Sequence, residues 1–237
     1  VSLATRIIPT ILSKNGQLVK GEGFKCDRVV GNALQAARIH AMRGVDEIML
    51  LDVTATKEGR EPDYAMIRRL ADGCFAPLTV GGGVTCVEHI RGLLSSGADK
   101  ILIGYDKAVM IDGFSQKFGR QCITVSIDDK NITDNGVYFS VWCAKDAESR
   151  GAGEILIQSI NRDGTMQGYD LDLIKQVSEA VSIPVIASGG CSGYEDAYNA
   201  IKAGASAVAV GALFLFTDST PKGMAEYLKE KGVEVRD

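Results

Sequence analysis

Residues 77–83 read PLTVGGG, and residues 184–190 read PVIASGG. The two stretches stand 107 residues apart (184 − 77), and the offset recurs elsewhere in the chain. It relates Glu47 to Glu154 and Gly97 to Gly204, and it sets GVDEIMLLD, from Gly44, beside GAGEILIQS, from Gly151. One offset shared by three separate strand–turn units marks a duplicated half, whereas a solenoid would repeat every roughly 20–50 residues. The first strand of each half keeps its likeness at a larger offset: ILSKN from Ile11 matches IDDKN from Ile127, 116 residues on (127 − 11).

Working outward, short apolar runs alternate with longer helical patterns. The predicted strands are Arg6–Leu12, Glu47–Val53, Leu78–Val80, Lys100–Ile103, Ile123–Ile127, Glu154–Ser159, Val185–Ala187 and Ala207–Val210. Most are continuous apolar runs, as parallel strands covered on both faces require. Helices are predicted over Ala33–Arg43 and Leu171–Ala180, and Gly44 and Gly151 suit helix C-termini that need a left-handed residue. Eight strands in strict alternation favour a closed barrel over an open doubly wound sheet. The expectation is an α/β chain: one (β/α)8 TIM barrel domain over residues 1–237, made of two fused half-barrels, its active mouth at the C-terminal strand ends.

Composition narrows the function. The net charge of −4 has no basic cluster behind it, which argues against nucleic acid. No apolar run approaches the roughly 18 residues of a membrane span, and no signal-like segment opens the chain, so no membrane role is expected and a cytoplasmic location is. The six cysteines are irregularly spaced without a Cys-x-x-Cys pair, so free thiols are expected, with no metal site and no cofactor. His40 and His89 fall in helical stretches and read as packing or surface residues.

Glycines that follow barrel strands let backbone N–H groups approach an anion closely. Gly81-Gly82-Gly83 and Gly104 follow the third and fourth predicted strands, and Ser188-Gly189-Gly190 and Gly211 follow the seventh and eighth. Two phosphate cradles across the mouth are therefore expected: Gly83 with Gly104, and Gly190 with Gly211 and Ala212, joined by Asp163-Gly164. The alternative is that these glycines serve tight turns only. The first cradle is expected to be the weaker, because Tyr105 and Asp106 stand where an anion would want donors.

Several segments together resemble the cyclase subunit of imidazole glycerol phosphate synthase: RIIP, KNGQLVKG, LDVTATKEGREPDY, LTVGGGV, SIDDK, GAGEILIQSINRDGTMQGYD, IPVIASGG and AGASAVAVGALF. The resemblance runs nearly end to end. It implies a barrel that receives ammonia from a glutaminase subunit at its N-terminal face. It also implies a phosphorylated small-molecule substrate with two phosphates, worked on by two facing aspartates as general acid and base. Asp128 matches one aspartate. Leu12 occupies the position of the other, and the repeat gives the same pairing, since 128 − 12 is 116. Leucine cannot move a proton, and losing one member of such a pair costs about 10²–10⁴-fold in rate. Gly104-Tyr105 likewise replaces the family's Asn-Thr pair.

The family's ring of charged residues at the barrel bottom, which gates ammonia, is matched by Arg6, Glu47, Lys100 and Glu154; a ring that only stabilises the barrel is the alternative. Asp46 and Asp99 are expected on the same rim. Within the family, ILSKNGQLVKG and DVTATKEGREPDY resemble cyclase-like proteins linked to amidation of surface-polysaccharide sugars. That branch is the first functional expectation, and an authentic histidine-pathway cyclase subunit is the alternative. The span from Asp128 to Glu154 is shorter than the family's, so either a loop is deleted or a mobile segment is missing from the chain, and a weak point in the trace is expected at Val141–Trp142.

Overall fold

The computed structural model describes residues 4–236. Eight parallel strands form the barrel: β1 (Arg6–Lys14), β2 (Ile48–Asp52), β3 (Leu78–Gly81), β4 (Lys100–Gly104), β5 (Ile123–Asp129), β6 (Glu154–Ser159), β7 (Val185–Ser188) and β8 (Ala207–Val210). Each pairs with the next in chain order, and β8 returns to β1 with Arg6 opposite Ala207. The sheet therefore closes on itself. Helices α1 (Ala33–Met42), α2 (Tyr64–Ala71), α3 (Val87–Ser95), α4 (Ile111–Phe118), α5 (Phe139–Ser149), α6 (Leu171–Ala180) and α7 (Tyr194–Lys202) fill the crossovers. α8 (Ala212–Phe216) and α9 (Pro221–Glu230) follow β8. No helix among the described residues is long and apolar enough to cross a membrane.

Polar residues fix the helix starts. The side chains of Asn32, Asp63, Asp170 and Thr220 accept the N–H groups of Gln35, Met66, Leu173 and Gly223, and each such cap is worth about 1 kcal/mol. Gly44 and Gly151 take the left-handed conformation just past α1 and α5.

Alternation along the strands splits the core in two. One face packs outward on the helices, for example Ile48, Leu50, Ile155 and Ile157. The other fills the axis: Ile8, Met49, Leu102, Leu156, Ile186, Ala207 and Ala209 form a separate apolar plug.

Two features depart from expectation. Beyond the parallel strands, an antiparallel pair, Gln17–Lys20 and Arg28–Asn32, extends β1, and a small hairpin joins Thr133–Asp134 to Val137–Tyr138. The weak point expected at Val141–Trp142 does not occur, because both residues lie within the unbroken helix α5. The small hairpin lies in the connection between β5 and α5.

Candidate active site

Inward-facing positions recur every second residue along each strand, so the axis can be climbed from bottom to top. On β1 they are Arg6, Ile8 and then Leu12 near the top. On β6 they are Glu154, Leu156 and Gln158, and on β4 Lys100, Leu102 and Gly104. A charged layer, an apolar plug and a polar mouth follow one another.

The bottom layer is a closed ring. Arg6 Nη1 reaches Glu47 Oε2 at 2.6 Å, and Arg6 Nη2 reaches Glu154 Oε1 at 2.6 Å. Lys100 Nζ completes it at 3.0 Å from Glu47 Oε2 and 2.9 Å from Glu154 Oε2. Thr79 Oγ1 donates to the remaining Glu47 oxygen at 2.6 Å. Buried charges are costly unless paired and hydrogen-bonded. Here two cations bridge two carboxylates, and the net charge of the ring is zero. Burial pushes Glu47 upward, but Lys100 and then Arg6 outweigh it and hold the carboxyl below its ordinary pKa. Asp46 and Asp99 do not join the ring. Their carboxylates accept backbone N–H groups instead, Ile7 N at 3.0 Å and Leu78 N at 2.8 Å, and so splint the strand starts.

At the top, Asp128 and Leu12 line one cavity of about 270 Å3, together with Leu51, Leu102, Gly104, Asp106, Ser126, Gln158 and Asp163. Leu12 brings only methyl groups to it. Ser126 Oγ donates to Asp128 Oδ1 at 3.0 Å. Solvent reaches Asp128 through the open mouth, yet the surrounding walls raise its pKa by desolvation. Ser126 pulls the pKa down, and the charges of Asp106 and Asp163 add to the rise. A carboxyl so poised can take a proton and return it.

Beside the mouth, Asp163, Gly164, Gly190, Gly211 and Ala212 converge on one pocket with Ser188, Gly189 and Lys20. Gly190 sits at φ +105°, and any Cβ there would collide with the Gly168 carbonyl, so only glycine fits. Lys20 is 6% exposed, and its ammonium faces Asp163 Oδ1 at 3.6 Å.

A family model described as histidine biosynthesis protein matches residues 6–220. The chain belongs to the histidine biosynthesis protein family. It is 40% identical to the imidazole glycerol phosphate synthase subunit HisF of Dictyoglomus thermophilum, over 99% of both chains. It is 40% identical to the HisF subunit of Endomicrobium trichonymphae, over 99% of this chain and 96% of that one.

In this member of the histidine biosynthesis protein family the first glycine turn is built differently from the second. Gly104 lines the mouth, but Gly83 does not line that cavity. Gly83 lies under the Arg60 carbonyl, and its N–H donates to Thr56 Oγ1 at 3.0 Å. Asp106 stands over Gly104 and pairs with Lys107 Nζ at 2.7 Å. His89 Nδ1 lies 2.9 Å from the Gly83 carbonyl, a local tie. His40 is buried against Phe214, and burial, helped by Arg43, lowers its pKa to about 4. All six cysteines are free thiols, of which Cys143 and Cys191 are buried.

Sequence reasoning missed Lys20, Thr56, Ser126 and Gln158. A signal for Lys20 was present: Asn15-Gly16 is a hairpin turn that folds Gln17–Lys20 back along β1, so a lysine closing an apolar arm returns to the mouth.

Proposed function

We propose that this protein is the ammonia-using barrel subunit of a glutamine amidotransferase of the imidazole glycerol phosphate synthase kind. A glutaminase subunit docks at the N-terminal face, ammonia enters through the ring of Arg6, Glu47, Lys100 and Glu154, and a phosphorylated acceptor lies in the mouth. The observation that carries the reading is the closed ring on the same axis as Asp128. A neutral molecule as small as ammonia passes when one salt bridge swings aside, while the paired charges hold bulk water back. The HisF name of two relatives matched over nearly their whole length supports the same reading.

At the mouth, ammonia adds to the acceptor's carbonyl carbon, Asp128 takes the proton that the nitrogen sheds and returns it to the departing oxygen, which leaves as water, and the Gly190–Gly211 pocket holds a phosphate. With Leu12 opposite, the chemistry runs on one carboxyl and is slower by about 10²–10⁴-fold than a paired site would allow. Amidation of a polysaccharide sugar rests on two sequence segments alone. Neither the family match nor the relatives support it, and the imidazole glycerol phosphate synthase reading is supported better.

The test is conversion of the bis-phosphorylated ribulosyl-aminoimidazole carboxamide, with ammonium salt and then with glutamine plus a glutaminase subunit. Slow turnover that Asp128→Asn abolishes is expected. A folded protein inactive under both conditions, and still inactive as Leu12→Asp, would sink the proposal.

A further inference from the structure

The repeat matches the two sides of the mouth, and there the halves have diverged in kind. The larger offset pairs Leu12 with Asp128, and the 107-residue offset pairs Leu51 with Gln158 and Gly81 with Ser188. Leu12, Leu51 and Gly81 stand in register on β1, β2 and β3. Asp128, Gln158 and Ser188 stand in register on β5, β6 and β7. One side of the mouth is therefore an apolar wall. The other is a continuous polar strip, with neighbouring strands about 4.8 Å apart. Polar groups that work together here sit side by side, not across the axis.

Gln158 is the middle of that strip. Ser188 Oγ donates to Gln158 Oε1 at 3.1 Å. The amide is planar, so Nε2 is turned away from β7, and no acceptor among the described residues takes its protons. Gln158 is half-buried, and leaving such donors unpaired away from water is costly. Its place suits an oxygen atom of a ligand. Leu12, Gln158 and Asp163 line both the mouth cavity and the phosphate pocket. An acceptor with its phosphate in the pocket and its reacting carbon beside Asp128 passes between these three. Leu12 offers no polar atom. Asp163 is a carboxylate facing Lys20, and it would repel an oxygen that gains negative charge. Of the three, Gln158 alone can donate to that oxygen.

We infer that Gln158 is a catalytic residue of this mouth: its Nε2–H group binds the oxygen of the acceptor's reacting carbonyl and stabilises the charge that oxygen gains as ammonia adds. The inference rests on the proposed function. The ammonia lone pair forms the C–N bond, and the carbonyl π pair moves onto the oxygen. Asp128, one strand away, carries first one proton and then a second from the nitrogen to that oxygen, which leaves as water, and a C=N bond remains. Gln158 gives a hydrogen bond and no proton, so turnover leaves it unchanged. A donor fixed in advance by Ser188 needs no reorganisation when the charge appears, which is what makes such a group effective.

Gln158→Met and Gln158→Glu are compared with the unaltered protein on the bis-phosphorylated carboxamide and ammonium salt, at the plateau of each pH–rate profile. Methionine removes both the donor and the contact with Ser188. Glutamate keeps an oxygen for Ser188 and removes the donor. Loss of one such donor costs about 10²–10³-fold in kcat, and both variants should lose about 10²-fold or more with KM changed by less than about threefold. In the unaltered protein, 15N NMR should show a Gln158 side-chain amide proton moving downfield when the carboxamide binds without ammonia. A Gln158→Glu protein that keeps its rate would make the residue a splint between β6 and β7 and overturn the inference. So would a rise in KM at unchanged kcat, or an amide resonance that does not move on binding. In these cases Asp128→Asn still abolishes turnover, and the proposed function stands. An unaltered protein without turnover, still inactive as Leu12→Asp, overturns both.

Discussion

Replacing Lys100 by methionine keeps the length of the side chain and removes one of the two cations of the ring. Glu47 and Glu154 lose contacts of 3.0 and 2.9 Å, and the ring passes from neutral to a charge of −1 with Arg6 alone bridging both carboxylates. Removing one partner of a buried pair costs about 3–5 kcal/mol. The Lys100 side chain is 19% exposed and Arg6 keeps both its bonds, so about 2–3 kcal/mol is the reasonable figure at neutral pH. For a domain of this size that is a fall in Tm of about 5–10 °C. The sign of the pH dependence follows from Glu47, whose folded pKa lies below its ordinary value near 4.5 because Lys100 and Arg6 outweigh burial. A depressed carboxylate adds stability above its unfolded pKa, and that stability is lost as pH falls through the folded value. The deficit of Lys100→Met is therefore full at pH 7, shrinks as pH drops below about 4.5, and is gone only once pH has passed the depressed folded value, where both proteins protonate Glu47. Urea unfolding at pH 7 and in acid measures it, with Lys100→Arg as the charge-keeping control. With a glutaminase subunit present, glutamine-driven turnover should fall more than ammonium-driven turnover. A deficit that does not change with pH would refute the electrostatic account of the ring, and equal losses with both nitrogen sources would refute its role as a gate.

Three further outcomes are expected. Leu12→Asp should raise ammonium-driven turnover by up to about 10²-fold by restoring a second proton-transfer group; an unchanged rate in a folded variant would mean the mouth does not use the pair. Ser126→Ala removes a hydrogen bond that lowers the Asp128 pKa, so the acid limb of the pH–rate profile should move to higher pH, and a stationary limb would count against Asp128 as the base. His40 is held neutral, mainly by burial, down to about pH 4, so wild-type stability should decline by about 2–3 kcal/mol between pH 6.5 and 4. His40→Leu should flatten that decline, and thermal melts at pH 7 and 4.5 would show whether it does.

Much of the barrel was legible because parallel strands sealed on both faces leave unbroken apolar runs. β6 has the predicted bounds, and β2 is one residue shorter than expected at each end. The antiparallel strands were missed, although two of their three turns are Asn-Gly pairs with both residues at positive φ: Asn15-Gly16 and Asn135-Gly136. These strands are short, with no more than two apolar residues in a row, so the apolar periodicity that found the barrel was silent there. At the site, the Gly190–Gly211 pocket could be named from glycine spacing, and the ring from the family resemblance, with the repeat relating only Glu47 to Glu154. The state of the first turn could not be. Whether Asp106 covers Gly104, and whether Thr56 claims the Gly83 N–H, depends on loop paths that residue spacing does not encode.

The ring also bears on how the two halves of the chain recognise each other. The first half carries Arg6, Glu47 and Lys100, and the second carries Glu154 alone. Two copies of the first half, brought together as the repeat would permit, would crowd four cations around two carboxylates. Two copies of the second would leave a pair of buried acids with no counter-ion at all. Only unlike halves neutralise each other. A sequence that still shows its origin by duplication thus carries, at the foot of the barrel, a charge code that disfavours the symmetric pairing and favours that of unlike halves.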